Sequence, residues 1–300
     1  MSTIKLFKIT NGRVSELNSQ PFVVEKSLQN TIEKNLELFL GVRFLQSEYN
    51  TGKRHAGRID TLGIDENGAP VIIEYKRSIN ENVINQGLFY LDWLLDHKGE
   101  FTLMVLEKYG KEASENIEWA NSRLLCISGD YTKYDEYAVE QINRNIELIR
   151  YRKFEDGIIL FELVNATSAN DEQKDKTGTP QKYTTVLELL SKMGQAEKDR
   201  YETLKAFIMA LGDDVQEKIT KYYIAYKRLS NFVCFEFHPN DKEILIFLKI
   251  NPKTINLVDG FSRDVSKIGH FGTGDLELRI KSDEDVKKAQ ELIVLSYEGN

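Results

Sequence analysis

An aspartate, a glutamate and a lysine lie close together on two adjoining segments that are otherwise apolar. Asp60 is part of RIDTLGI, and Glu74 and Lys76 are part of the aliphatic run PVIIEYK. An ionised carboxylate or ammonium that is buried without a partner costs several kcal/mol. Charges in such segments therefore need a metal ion, a charged partner or a chemical role.

The length of the loop between these segments decides whether the charges face one another. Alternate residues of a strand project from the same face, so Glu74 and Lys76 share one face. A five-residue loop pairs Ile64 with Pro70 and places Asp60 opposite Glu74. A four-residue loop would turn Asp60 to the other face of the sheet. We expect the five-residue loop and one cleft that contains all three charges.

Paired carboxylates and a neighbouring lysine suit metal-assisted phosphate chemistry. Two carboxylates held together repel unless a cation lies between them. Mg²⁺ is bound by one or two carboxylates, with waters and phosphate oxygens as its other ligands. Lys76 would then orient or deprotonate a water, or stabilise charge on a phosphate. Alone, an E-x-K pair is more often a cross-strand ion pair on an exposed strand.

Helices are predicted on both sides of this hairpin. Apolar residues at helical spacing predict a helix over residues 25–40 that ends at Gly41 and has Glu25 in its first turn. A helix over residues 82–95 follows the E-x-K strand and carries Gln86. Other predicted elements are a strand at VRFLQSEY, a strand at FTLMVLE, a helix at YDEYAVEQIN and a hairpin that turns at Asp156-Gly157.

The composition changes over residues 166–182, where no aliphatic residue is larger than alanine. We interpret this stretch as a protease-sensitive linker between domains at 1–165 and 183–300. The second domain begins with helical periodicity, continues with successive strands, and ends in a helix capped by Ser282. The predicted fold class is α/β (α+β): a mixed sheet flanked by helices, followed by a smaller α+β domain with a mostly antiparallel sheet.

The net charge of −7 argues against a protein that coats nucleic acid by bulk electrostatics, although a local basic cleft stays compatible with it. A basic cluster precedes Asp60, and a further arginine follows Lys76. Such a cluster alone is usually a solvated loop. The predicted nucleic-acid contacts are Lys53, Arg54, Arg58 and Arg77.

The remaining composition indicates a cytoplasmic protein that does not bind a membrane. The sequence shows no signal peptide, and no stretch reaches the ~18 uncharged apolar residues of a membrane span. Cys126 and Cys234 lie in apolar runs far apart, as expected of buried thiols in a reducing compartment.

The order of these residues resembles the PD-(D/E)xK nuclease superfamily, and more closely its RecB-like nuclease domain of the NucS/EndoMS type. Asp60 matches the motif aspartate, and Glu74 and Lys76 match the E-x-K pair. Gln86 matches the glutamine on the following helix. Ile59 replaces the proline of the older signature, a loss that is common in the superfamily. The resemblance covers about half the chain, and the second half resembles a domain of unknown function often found behind such nuclease-like domains.

The resemblance also implies roles for the site residues. Glu25 matches the helix-borne glutamate of the family, although Glu33 and Glu37 compete for that role on spacing. Mg²⁺ or Mn²⁺ would be bound by Asp60, Glu74 and Glu25. Lys76 would be the catalytic base or charge stabiliser, and Gln86 a positioning group.

The resulting hypothesis is a Mg²⁺-dependent endonuclease or phosphodiesterase that hydrolyses DNA in repair or defence. DNA is the predicted substrate, and RNA stays open. The alternative is an inactive module that keeps the fold and binds nucleic acid or a partner. A protein or ligand partner for the second domain and a homodimer are compatible with both hypotheses.

Overall fold

The computed structural model of the protein describes residues 4–20, 25–52, 57–76, 83–167 and 185–300. Within these ranges, the first part of the chain forms a mixed sheet flanked by helices, and the second part forms an antiparallel sheet with its own helices. The predicted α+β class is therefore confirmed. A separate two-stranded ribbon, β1 (Leu6–Thr10) and β2 (Arg13–Leu17), precedes the mixed sheet.

The mixed sheet has parallel strands at its centre. Its strands are β3 (Ser19–Gln20), β4 (Val42–Asn50), β5 (Arg58–Asp65), β6 (Pro70–Lys76), β7 (Arg123–Ser128), β8 (Asn145–Phe154) and β9 (Ile159–Thr167). They are ordered β3-β8-β7-β6-β5-β4, and β9 also pairs with β8. β6, β7 and β8 are parallel to one another, and the other pairs are antiparallel. Helices cover both faces of the central strands, which explains why PVIIEYK is almost wholly apolar.

The helices of this part are α1 (Glu25–Glu33), α2 (Leu36–Leu40), α3 (Val83–Asp96), α4 (Lys98–Glu115) and α5 (Lys133–Glu140). Leu28 and Ile32 of α1 pack on one face of the sheet, against Ile73. Leu91 and Leu94 of α3 pack on the other face. The predicted helix over residues 25–40 is thus divided into α1 and α2, and Gly41 ends α2 in the left-handed conformation with φ 61°.

One predicted element is wrong. FTLMVLE is part of α4 and not a strand. Phe101 and Val105, four residues apart, are buried, whereas Leu103 and Leu106 are exposed. The burial thus follows a helical period, with one covered face. A short apolar run fits a strand or a helix, and the flanking residues extend this one to helical length.

The second part packs helices on one face of a sheet. Its helices are α6 (Val186–Lys192), α7 (Gln195–Met209) and α8 (Asp283–Glu298). Its strands are β10 (Gln216–Ile219), β11 (Ile224–Lys227), β12 (Asn231–His238), β13 (Glu243–Leu248), β14 (Ser262–Asp264) and β15 (Leu276–Ile280). Every pairing within this sheet is antiparallel. Ser282 caps α8 through a hydrogen bond from the Asp285 N–H, as predicted.

Buried charges join the two parts of the chain. Lys227 of β11 places Nζ 3.1 Å from Oε1 of Glu147 on β8. Arg123 of β7 contacts the same carboxylate at 2.7 Å and Asp65 at 3.0 Å. All four side chains are buried. Neither part can therefore leave the other without exposing or unpairing charges that the interface compensates.

The predicted linker, residues 166–182, lies outside the described residues from position 168 onward. Its first two residues belong to β9. The domain limits and the protease sensitivity stay predictions. Cys126 and Cys234 are buried free thiols, as expected. Among the helices of the described ranges, none is long and apolar enough to cross a membrane.

Candidate active site

The β5–β6 hairpin has the predicted register. Ile64 pairs with Pro70, and Thr61 pairs with Ile73. The turn is held by Asp65, whose Oδ1 accepts hydrogen bonds from the N–H groups of Asn67 and Ala69, both at 2.9 Å. The pairing ends at Thr61 and Ile73, and Asp60 and Glu74 are the next residues toward the open end of the hairpin.

Backbone N–H groups hold the carboxylates of Asp60 and Glu74 through hydrogen bonds. The Asp60 N–H donates to Glu74 Oε1 at 3.1 Å, and the Tyr75 N–H donates to Asp60 Oδ2 at 3.1 Å. Glu74 is fully buried although it carries an acidic group. These contacts fix both carboxylates relative to the sheet before any ligand is bound.

Two helices add side chains to this pair from opposite faces of the sheet. Gln86 of α3 donates from Nε2 to Glu74 Oε2 at 2.9 Å. Glu25, the first residue of α1, lies with Oε1 3.7 Å from Nζ of Lys76. Glu25, Asp60, Lys76 and Gln86 line an open cleft of about 760 Å³. The structure thus brings together all five residues that the motif predicted as catalytic.

The site accumulates negative charge that the protein only partly neutralises. Burial raises the pKa of the Glu74 carboxyl well above its usual range, and the neighbouring charge of Asp60 adds to this effect. Burial also raises the pKa of Asp60, although the Tyr75 N–H and the charge of Lys76 act in the opposite direction. A cation at this place would relieve the repulsion between the two carboxylates.

The donor set suits a hard cation that keeps much of its water. Within the described part of the chain, no three His, Cys, Asp or Glu side chains are arranged to hold a metal ion. Mg²⁺ needs only one or two carboxylates, because waters and substrate oxygens supply the rest. Oδ1 of Asp60 accepts no hydrogen bond from the residues described, so it can take a ligand. Glu25 contacts Lys76, and its role as a metal ligand stays a prediction.

Glu74→Gln is expected to stabilise the metal-free protein above pH 7. Because folding raises the pKa of Glu74 above its usual 4.5, the folded state loses stability as pH rises from about 4.5 toward the raised pKa. Glutamine cannot ionise and avoids that loss. Urea unfolding from pH 5 to 8 in EDTA, and again with Mg²⁺, measures the difference. Mg²⁺ should stabilise only the wild type, and a variant less stable than wild type at every pH would contradict this expectation.

Glu33 and Glu37, which compete with Glu25 for the role of the helix-borne acid, lie away from the cleft. Glu33 accepts a hydrogen bond from Thr61 Oγ1 at 2.6 Å, on the face of the hairpin opposite Glu74. Glu37 is exposed on α2 and is not among the residues that line the cleft. Of the three acids, the structure therefore places Glu25 at the cleft.

Three residues of the site were missed from the sequence. Gln29 is buried and donates from Nε2 to the Asp60 carbonyl oxygen at 2.8 Å, which ties α1 to β5. Its position four residues after Glu25, on the same helix face, is the signal that would have revealed it. Tyr90 is buried in the core and also lines the cleft, and its hydroxyl accepts a hydrogen bond from the Arg58 N–H at 3.1 Å. Glu48 is the third.

Glu48 lies on β4 in the left-handed region, with φ 55°. Non-glycine residues rarely adopt this conformation outside turns and functional sites. Its carboxylate contacts Nζ of Lys26 at 2.6 Å and Nε of Arg58 at 2.5 Å. No sequence pattern predicts this conformation. The contact with Arg58 places an acid beside a predicted nucleic-acid contact.

Only one of the four predicted nucleic-acid contacts lies in the described residues. Arg58 lines the cleft, and its side chain is 67% exposed. Lys53, Arg54 and Arg77 lie outside the described ranges, and their roles stay predictions.

Comparison with known proteins identifies relatives of the chain. Residues 188–300 match the family model of a domain of unknown function, DUF5655. This match agrees with the resemblance expected for the second half. An uncharacterised protein of Haemophilus influenzae is 28% identical over 301 residues, a match that covers 97% of this chain and 98% of that protein.

Two solved structures are similar to part of the chain. One is a repair endonuclease from Pyrococcus abyssi, with a TM-score of 0.30 and 22% identity over 44% of this chain and 48% of the endonuclease. The other is an EndoMS–dsDNA2 complex, with a TM-score of 0.25 and 19% identity over 46% of this chain and 51% of the EndoMS chain. The chain thus matches about half the length of each.

Proposed function

We propose that this protein is a Mg²⁺-dependent nuclease that hydrolyses phosphodiester bonds in DNA. The observation that carries the proposal is the placement of Asp60 and Lys76 at one cleft, with the buried Glu74 accepting a hydrogen bond from the Asp60 N–H. Both carboxylates have raised pKa values. Gln86 and Glu25 complete the set from two helices. A structural ion pair between Glu74 and Lys76 would need neither Asp60 nor the two helical residues.

Asp60 and Glu74 are the residues that would hold the metal ion. The ion would be Mg²⁺, or Mn²⁺ bound at the same place. When bound, such an ion polarises a phosphate oxygen and lowers the pKa of a water. The chain itself contributes fixed positions for the two carboxylates. Gln86 orients Glu74 through its hydrogen bond to Oε2, and Gln29 holds the backbone of Asp60.

Lys76 supplies the positive charge beside the carboxylates. Its ammonium would stabilise negative charge that builds up on the phosphate, or its amine would accept a proton from the attacking water. Glu25, with Oε1 3.7 Å from Nζ, orients the Lys76 side chain toward the cleft. The cleft is open, so a polymeric substrate can enter it.

Arg58→Ala is expected to weaken DNA binding without abolishing the chemistry. Loss of one phosphate contact should lower the slope of log K against log salt concentration by about one. Cleavage at saturating DNA should change little, since the Arg58 side chain pairs with Glu48 and not with Asp60 or Glu74. Fluorescence anisotropy at several salt concentrations measures the slope. Arg144→Ala is the control, because Arg144 is exposed directly before β8 and does not line the cleft, and an equal effect of both changes would contradict the assignment.

A binding module without turnover is the second candidate. One observation favours it: both oxygens of Glu74 already accept hydrogen bonds, from the Asp60 N–H and from Gln86. A metal ion would have to share or displace these contacts. In this case the cleft would bind nucleic acid, or the second part of the chain would bind a partner, without hydrolysis.

The deciding experiment incubates the purified full chain with labelled duplex, mismatched, branched and single-stranded DNA and with RNA. Each substrate is tested with Mg²⁺, with Mn²⁺ and with EDTA. Metal-dependent cleavage supports the nuclease, and a circular substrate separates internal from terminal cleavage. Binding without cleavage supports the module. Absence of both binding and cleavage on every substrate contradicts the nuclease and the nucleic-acid-binding module. A cytoplasmic role in DNA repair or defence, with or without a homodimer, belongs to the same proposal.

A further inference from the structure

Two adjoining cavities lie between the two parts of the chain, away from the cleft. The smaller, of about 310 Å³, is formed by α4, the β5–β6 turn and two segments of the second part. The larger, of about 920 Å³, is formed by α2, β4 and the residues around Ser230 and Lys249. Arg43, Glu66 and Tyr109 line both cavities, so the two form one continuous groove.

The smaller cavity has aromatic walls and acidic groups. Tyr222 and Phe271 stack with their ring centroids 4.3 Å apart and their planes at 17°. Lys221 Nζ lies 4.8 Å from the ring centroid of Tyr222, whereas Phe271 is 59% exposed, so Phe271 is the accessible ring of the pair. Glu118 lies in the same cavity and uses Oε1 to accept the Lys221 N–H at 3.1 Å. Oε2 of Glu118 accepts no hydrogen bond from the described chain.

The larger cavity is lined by the basic side chains of Lys34, Arg43, Lys108 and Lys249 and by the carboxylates of Glu33, Glu37 and Glu66. Lys249 Nζ lies 3.7 Å from Glu66, and Lys108 Nζ donates to the Leu45 carbonyl oxygen at 3.1 Å. Arg43 stands at its junction with the aromatic cavity, with its guanidinium carbon 4.7 Å from the ring centroid of Tyr109. Among the described residues, no carboxylate forms an ion pair with Arg43. A guanidinium that is already oriented by stacking and keeps its donors available suits a phosphate.

We infer that this groove between the two parts of the chain binds a nucleotide, with the base on the exposed Phe271 ring and the phosphate at Arg43. A base has an apolar face for stacking and N–H donors for the carboxylate of Glu118. A purely cationic ligand would leave Arg43 unpaired, and a simple anion would leave the aromatic wall uncovered. The volume of the smaller cavity is at the lower end of the range for small-molecule sites.

The site is separate from the proposed nuclease cleft. Its floor includes Glu66, Asn67 and Gly68, which form the turn at the closed end of the hairpin. Asp60 and Glu74 lie at the open end of the same hairpin. The inference rests on the groove alone and does not depend on whether the cleft is catalytic.

Isothermal titration calorimetry of the full chain with each of the four ribonucleoside 5′-monophosphates tests the inference. The matching nucleosides and ribose 5-phosphate separate the contributions of the base and the phosphate. Arg43→Gln should weaken nucleotide binding at least tenfold and remove the advantage of nucleotide over nucleoside. Phe271→Ala should weaken nucleotide and nucleoside alike. Arg144→Gln, an exposed arginine outside the groove, should change neither.

Circular dichroism and melting temperatures establish that each variant is folded. A 5′-phosphorylated dinucleotide distinguishes the two sources of such a ligand: equal or tighter binding indicates a strand end, and weaker binding indicates a free nucleotide. Absence of binding for every probe at about 1 mM overturns the inference. Binding that folded Arg43→Gln and Phe271→Ala variants retain unchanged also overturns it.

Discussion

Glu74→Gln is expected to lower the single-turnover rate of Mg²⁺-dependent DNA cleavage by about 100-fold or more. Glutamine keeps the shape of the side chain and can still accept the Asp60 N–H. It removes the negative charge that a divalent ion needs. Asp60→Asn should act in the same way, because the two carboxylates would share one ion. Quenched-flow cleavage and Mn²⁺ binding, measured on the same samples, test both variants.

The matched control is Glu107→Gln, an exposed acid on α4 that lies outside the cleft. It should cleave at the wild-type rate. Loss of cleavage in Glu74→Gln with unchanged Mn²⁺ affinity would contradict the assignment of Glu74 as a ligand. Wild-type cleavage in both carboxylate variants would remove the site from the mechanism.

Glu147→Ala is expected to reduce the free energy of unfolding by about 3–5 kcal/mol at pH 7. The carboxylate is buried between Arg123 and Lys227, so its removal leaves two buried cations without their shared partner. Burial alone would raise the pKa of Glu147, but the charges of Arg123 and Lys227 lower it to about 2. The ionised form is therefore the one that holds the interface together.

The effect should depend on pH in a defined direction. Because folding lowers the pKa of Glu147 from its usual 4.5 to about 2, its contribution is complete above about pH 4.5 and is lost as pH falls toward 2. Urea unfolding of wild type and variant at pH 7 and at pH 3 measures this. Glu284→Gln, which breaks an exposed pair with Lys288 on α8, should be close to wild type. A Glu147→Ala variant as stable as this control at pH 7 would contradict the role of the interface.

The register of the site hairpin could be predicted because the side-chain period of a strand leaves two choices. A five-residue loop and a four-residue loop place Asp60 on opposite faces, and only the former brings the carboxylates together. The flanking helices were visible from apolar spacing, which put Glu25 in a first turn and Gln86 on a helix. Spacing alone did not separate Glu25 from Glu33 and Glu37, and the family resemblance favoured Glu25. The chemical roles of these residues do not follow from their position and stay predictions.

The remaining features depend on contacts between segments far apart in the chain. Glu147 and Lys227 are 80 residues apart, and nothing near either residue indicates that they meet. The conformation of Glu48 depends on Lys26 and Arg58, which come from different elements. The strand predicted at FTLMVLE failed for a local reason, since a short apolar run carries no period long enough to separate a strand from a helix.

The most direct test of the proposed mechanism is the single-turnover cleavage rate of Lys76→Ala, with its Mn²⁺ affinity measured on the same protein. Lys76 stands beside the carboxylates and is not among the proposed ligands. The expected result is an Mn²⁺ affinity near that of wild type and cleavage reduced by about 100-fold or more. Full cleavage by Lys76→Ala, with unchanged metal dependence, would contradict it.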